Sequence, residues 1–167
     1  MQLPRKSPRR NFKKEQALSS VFCGREEFWE HFPADLEGCT RSLLIVSPYV
    51  TADGTERLRK RLKELRERNV HITVYTHSPK VQDDDKGCDS ALELLNELGV
   101  EVIVCRVHAK MIVIDDYIWW EGSLNALSFG QSLEQMRRFE GLQARNLLRR
   151  IGLDRLTSND VGDETAK

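Results

Sequence analysis

The residues best suited to chemistry lie between His108 and Asn125, in the stretch HAKMIVIDDYIWWEGSLN. His108 and Lys110 stand two apart, Asp115 follows, and Gly122, Ser123 and Asn125 close the stretch. Side chains two apart on an extended segment share a face. An imidazole and an ammonium should therefore emerge together if 107–114 is a strand, and Ser123 and Asn125 add a hydroxyl and a carboxamide in the same way. Histidine can act as a nucleophile near neutral pH, and lysine offsets charge on phosphate oxygens. The set points to attack on an anionic centre such as phosphorus. The plainer reading is a buried hairpin whose polar ends are incidental.

Such a site needs elements to hold it. Met111–Ile114 and Tyr117–Trp120 are apolar runs that read as two buried strands, joined by a turn at Asp115 and Asp116. Upstream, Phe28, Trp29, Phe32 and Leu36 recur at helical spacing over Arg25–Leu36. The run Ser42–Ser47 reads as a strand ended by Pro48, opening into a loop over Pro48–Thr51. Asp53–Arg68 carries Leu58, Leu62 and Leu65 on one face, a helix with a charged outer side. Val70–Tyr75 alternates as a strand, Ser78–Asp89 is a polar loop, Ser90–Leu98 is a helix closed by Gly99, and Val100–Val107 is a further strand. After Asn125, Leu133–Ile151 reads as a closing helix rich in arginine. Strands alternating with helices imply an α/β fold, a mixed β-sheet flanked by helices on both faces. The expected organisation is a flexible basic arm over 1–19, one domain over 20–153 and a polar tail over 154–167.

At 167 residues the chain can bury a real core. Lys+Arg and Asp+Glu are both 26, so net charge alone does not advertise a nucleic-acid partner. Its distribution says more: Arg5, Lys6, Arg9, Arg10, Lys13 and Lys14 crowd the start with no acid before Glu15. That arm reads either as a phosphate-backbone contact or as a solvated tail. No apolar run approaches the ~20 residues of a membrane span, and no signal-peptide core follows the basic start, so a cytoplasmic location away from membranes is expected. Cys23, Cys39, Cys88 and Cys105 lack CxxC spacing and read as reduced structural thiols. Asp83, Asp84 and Asp85 are adjacent carboxylates that rarely converge on a metal, so no metal or other cofactor is expected.

The pattern His108-x-Lys110-x4-Asp115-x6-Gly122-Ser123-x-Asn125 resembles the signature of the phospholipase D superfamily, and the likeness extends over roughly residues 20–150. It implies a phospholipase D-like domain in which His108 attacks phosphorus to form a phosphohistidine. Lys110, Ser123 and Asn125 would hold phosphate oxygens, Asp115 would act as a hydrogen-bonding support, and Ser47 in the lead-in is a further candidate for substrate binding. In nuclease members a downstream glutamate orients the imidazole; Glu134 is the match here, with Glu140 in reserve. The chemistry implied needs no metal. It does need two histidines, and this chain holds one copy of the motif, so the resemblance implies a homodimer with a shared site. His71 or His77 could instead supply the acid, although neither has a lysine beside it on its strand.

Single-motif members of this length are similar to dimeric endonucleases and to nuclease modules working with a helicase or restriction partner. The segments LLIVSPYV and EGSLN…EQMRRFE resemble the helicase-associated kind. Arg137, Arg138, Arg145, Arg149 and Arg150 are consistent with nucleic acid, DNA ahead of RNA. Two alternatives remain: a phospholipase or phosphatidyl transferase, which would want a membrane-facing amphipathic element, and a non-catalytic nucleic-acid-binding or dimerisation module of the same fold.

Overall fold

The computed structural model describes residues 20–82, 87–141 and 144–153. The basic arm, the Asp83–Asp85 run, the polar tail and the side chains of Arg145 and Arg150 lie outside the described residues.

Three parallel strands, β2 (Ser42–Val46), β3 (His71–Thr76) and β4 (Glu101–Val104), form one half of a sheet. Their connections contain helices α2 (Ala52–Glu67) and α3 (Cys88–Glu97). Near-continuous apolar runs such as LLIV suit strands covered on both faces. Strand β5 (Met111–Ile114) lies antiparallel to β2 and turns back into β6 (Ile118–Gly122). The turn is made by Asp115 and Asp116, with φ of 52° and 59°. Aspartate tolerates this left-handed region, and the twist of such a turn matches that of the strands it joins. The chain thus forms the expected hairpin.

Two further strands were not expected. Residues Gln135–Glu140 form β7 beside β6, and Ser20–Gly24 form the edge strand β1 beside β7. The sheet has seven strands in the order β1-β7-β6-β5-β2-β3-β4. The closing helix expected over Leu133–Ile151 is therefore corrected: only its end is helical, as α4 (Ala144–Ile151). The sequence QMRRFE has a period of two that outweighs the helical reading once β6 offers a partner. Met136 is buried on one face with Arg138 beside it, while Arg137 is exposed on the other.

Helix α1 (Arg25–Gly38), α2 and α3 cover one face of the sheet. Phe28, Phe32, Leu62 and Leu95 pack there with Leu43, Ile45, Ile112 and Trp120. On the other face Leu147 and Leu148 of α4 pack with Leu44, Val113 and Trp119. Both faces are covered, as the alternation of elements implied. A polar knot fixes α1 to the β6–β7 pair: Trp120 Nε1 donates to Asp35 Oδ2 at 2.8 Å, and Arg138 donates to both oxygens of that carboxylate at 2.8 and 2.7 Å. Arg138 is thus a structural cation rather than a free contact for nucleic acid. Arg137 and Arg149 do lie exposed.

Candidate active site

Strands β2, β3, β4 and β6 point one way and β5 and β7 the other. One end of the sheet therefore collects the residues after Val46, Thr76, Val104 and Gly122, together with those before Met111 and Gln135. His108, Lys110, Ser123, Asn125 and Glu134 all fall at this end. Asp115, Glu140 and His71 fall at the other, with the length of the strands between them.

His108 and Lys110 are not on a strand. β4 stops at Val104 and β5 starts at Met111, so 105–110 crosses the end of the sheet without regular structure. The two side chains share a segment rather than a strand face, which corrects the alternation argument while leaving them together. The Lys110 ammonium donates to the His108 carbonyl at 3.3 Å, and His108 is exposed. Among the described residues the imidazole has no hydrogen-bond or ion-pair partner. The hairpin register is carried past the strand ends by Gly122, whose amide donates to the Lys110 carbonyl at 3.2 Å.

Gly122 is a glycine because β7 crosses it closely. A Cβ there would lie 2.1 Å from the Gln135 carbonyl oxygen and 2.9 Å from Met136 Cα. The same crossing brings Glu134 to Ser123: their side chains share a short hydrogen bond, and the Gln135 amide donates to Ser123 Oγ at 3.1 Å. Glu134 also faces Arg25 at 3.8 Å, at the start of α1. In this structure its carboxylate thus engages Ser123 and Arg25 rather than the His108 imidazole. Glu140 pairs with Arg138 at the far end of β7, which removes it as the reserve candidate. Arg25 was read in the sequence only as a helix start; its partner is more than a hundred residues away, and no local pattern signals it.

Asn125 begins the turn after β6, and that turn is sewn to the loop after β2. Thr51 N donates to the Leu127 carbonyl at 2.9 Å, and Phe129 N donates to Thr51 Oγ1 at 3.0 Å. Ser47 takes part in this stitching. It is fully buried, donates through Oγ to the Tyr49 carbonyl at 2.8 Å and accepts from Leu127 N at 3.3 Å. Its hydroxyl is spent inside the protein, so Ser47 positions the loops and does not face substrate. Gln82 does similar work for the next loop, accepting from Val50 N and donating to the His77 carbonyl, both at 2.8 Å. His77 thus stands at the site's end of the sheet, its ring against Tyr49 at 5.7 Å. His71, at the other end, contacts Glu101 at 3.2 Å.

Asp115 is remote from this end. Its carboxylate accepts from the amides of Thr40, Arg41 and Ser42 at 2.7–2.9 Å and from the Thr40 hydroxyl at 3.0 Å. Burial alone would raise its pKa. The Ser42, Thr40 and Arg41 amides and the Thr40 hydroxyl together outweigh that and hold the carboxyl down at about 2.

Helices α1, α2 and α3 each follow a strand that ends beside the site, so all three present their N-termini there. The positive ends of the helix dipoles favour an anion at that end of the sheet. A mixed sheet with this hairpin, and a histidine, lysine, serine and asparagine gathered at one end of it, is the arrangement of a phospholipase D-like domain. Residues 34–136 match the family model described as cardiolipin synthase, PLD-like domain, and the chain belongs to that family within the phospholipase D superfamily.

Among solved structures, the fold is similar to Nuc of Salmonella typhimurium, a phospholipase D family member, with a TM-score of 0.64 and 14% identity. That likeness covers 80% of this chain and 91% of Nuc. NucT of Helicobacter pylori gives 0.63 at 12% identity, over 83% of this chain and 95% of that one. Phosphatidylserine synthase of Haemophilus influenzae gives 0.59 at 17% identity, over 86% of this chain and only 39% of the synthase. At such identities the likeness is one of fold. No curated protein matches the sequence.

Proposed function

We propose that this chain is a phosphodiesterase, and specifically a metal-independent nuclease that cleaves DNA through a phosphohistidine. The observation that carries this reading is the convergence of His108, Lys110, Ser123 and Asn125 on one end of the sheet, beside three helix N-termini. In the first step an imidazole nitrogen of His108 attacks phosphorus and the bond to the leaving oxygen breaks. The leaving oxygen takes a proton from His108 of the partner subunit. Water then attacks the phosphohistidine, gives its proton back to that second imidazole, and frees His108. Lys110, Ser123 and Asn125 hold the phosphate oxygens, where fixed donors are worth most as charge develops. Glu134 holds the Ser123 hydroxyl, and Asp115 supports the hairpin from its far end.

The likeness of fold to Nuc and NucT supports the nuclease over a lipid-directed enzyme. Nuc and NucT are spanned almost entirely, the phosphatidylserine synthase by less than half. Family membership described by cardiolipin synthase keeps phospholipid as the second reading. No helix of the described residues is long and apolar enough to cross a membrane. One assay separates the readings. The purified chain is expected to cut DNA in the presence of EDTA, with His108→Ala lowering the rate by roughly 10³-fold or more. Inertness towards DNA together with turnover of phosphatidylglycerol vesicles would replace the nuclease with the lipid enzyme.

A further inference from the structure

A groove opens beside Asn125 and Glu134. It begins as a cavity of about 280 Å³ lined in part by Arg25, Tyr49, Arg57 and Phe129. It continues into a wider hollow of about 650 Å³ that shares Arg25, Arg57 and Phe129 with the first. The wall between the two is a stack: the Arg57 guanidinium lies 4.6 Å from the centre of the Trp29 ring and 5.0 Å from that of Phe129.

Arg57 is unusual among the cations of its helix. Along α2, Arg59, Lys60, Arg61 and Lys63 each pair with a glutamate, and Arg66 donates to the Val70 carbonyl. Among the described residues Arg57 alone on that helix has neither a carboxylate nor a carbonyl partner. Its ring contacts hold the guanidinium between Trp29 and Phe129 and leave its N–H groups for an acceptor. Two more groups of the groove are short of partners. The Oδ1 of Asn125 and the Nε of Arg25 are sealed from solvent with no hydrogen bond among the described residues. Buried polar atoms left unpaired are costly, and a ligand is one means of satisfying them. Tyr49 and Phe129, at 43% and 47% exposure, offer aromatic faces in the same groove.

An acceptor-seeking cation and two exposed rings in one groove suit a ligand that is anionic and planar in part, with its planar face free to lie on a ring. We propose that the groove is a subsite for one unpaired nucleotide next to the scissile phosphate. Arg57 receives the neighbouring phosphate, and the base lies against Phe129 and Tyr49. The chain then cleaves single-stranded DNA in preference to duplex, because pairing would withhold the base from the rings. This rests on the nuclease reading above and adds to it the state of the strand.

The test compares three substrates: a single-stranded oligodeoxynucleotide, the same strand in a duplex, and bis(p-nitrophenyl) phosphate, a diester without the neighbouring phosphate and base that the groove would hold. Arg57→Gln and Phe129→Leu change exposed side chains, so both variants are expected to fold. Each should raise KM for the single strand on the order of tenfold, with a much smaller change in kcat, and the loss should be at least several-fold larger than on the small diester. The unaltered chain should favour the single strand over the duplex about tenfold or more. Equal losses on both substrates, or equal cleavage of single strand and duplex, would overturn the subsite while leaving a nuclease. Failure to hydrolyse either nucleic acid, with the small diester still cleaved, would instead remove the nuclease and the subsite with it.

Discussion

Asp115 and Cys39 illustrate how one ionised group at the far end of the hairpin conditions its surroundings. The carboxylate holds three backbone amides of the Thr40–Ser42 turn, tying the start of β2 to the end of β5. The Cys39 thiol lies under it, 3.7 Å from Oδ1, and burial together with the Asp115 charge pushes that thiol up to about 12. It is therefore an inert thiol at neutral pH. A carboxyl held at about 2 in the fold, below its ordinary value, stabilises the protein wherever it is ionised in both states. That contribution is complete above roughly pH 4 and fades as pH falls towards 2. With its partial exposure discounted, Asp115→Asn should lower stability on the order of 1–2 kcal/mol at neutral pH. Urea unfolding should show the gap between wild type and variant narrowing near pH 3, while cleavage per folded molecule is kept. A gap that is the same at both pH values would mean that the charge is not its source.

The elements that place the site meet most tightly where β7 crosses Gly122. With only 2.1 Å between a Cβ there and the Gln135 carbonyl, Gly122→Ala must push β6 away from β7. That should cost about 1–3 kcal/mol, as overpacking does. It should also move Ser123 and Asn125, lowering kcat/KM tenfold or more in protein that still melts cooperatively. Unaltered kcat/KM in such protein would show that β7 does not position the pair. The hairpin and its polar ends were legible in the sequence because MIVI and IWW are continuous apolar runs around a turn that aspartates can make. The crossing was not, because it joins Gly122 to a segment whose own pattern is ambiguous. The six residues QMRRFE suit a charged helix face as well as a strand, and what tips them to a strand is distant in sequence: β6 as a pairing partner and Asp35, 103 residues from Arg138. Strand β1 was hidden for a similar reason: only Cys23 of its five residues is buried, so no apolar alternation marks it. The site was legible in its residue types but not in their partners. Glu134 was read as the best match to the family's glutamate, yet its contact with Ser123 follows from the β7 crossing, and the Ser47 hydroxyl turns inward to accept from Leu127 N.

At the scale of the whole molecule, topology gathers His108, Lys110, Ser123, Asn125 and Glu134 on one end of the sheet, yet supplies only one His108. The other histidine there, His77, has its main-chain atoms engaged with Pro48 and Gln82 and its ring against Tyr49, so its place is set by the loops rather than by a facing lysine. In-line displacement needs an acid on the side opposite the nucleophile. A twofold axis through the site's end of the sheet would meet that need by bringing a second imidazole across from the first, which is why the proposed enzyme is a homodimer. Light scattering should then report a dimer, and subunit mixing should expose the sharing. If wild type and His108→Ala are unfolded together and refolded as a mixture, a mixed dimer holds a nucleophile without its acid. Activity should fall with the square of the wild-type fraction. A linear decline would mean that each subunit carries a complete site, and His77→Ala would be the variant to measure next. A quadratic decline with His77→Ala still active would place both halves of the proton relay on His108.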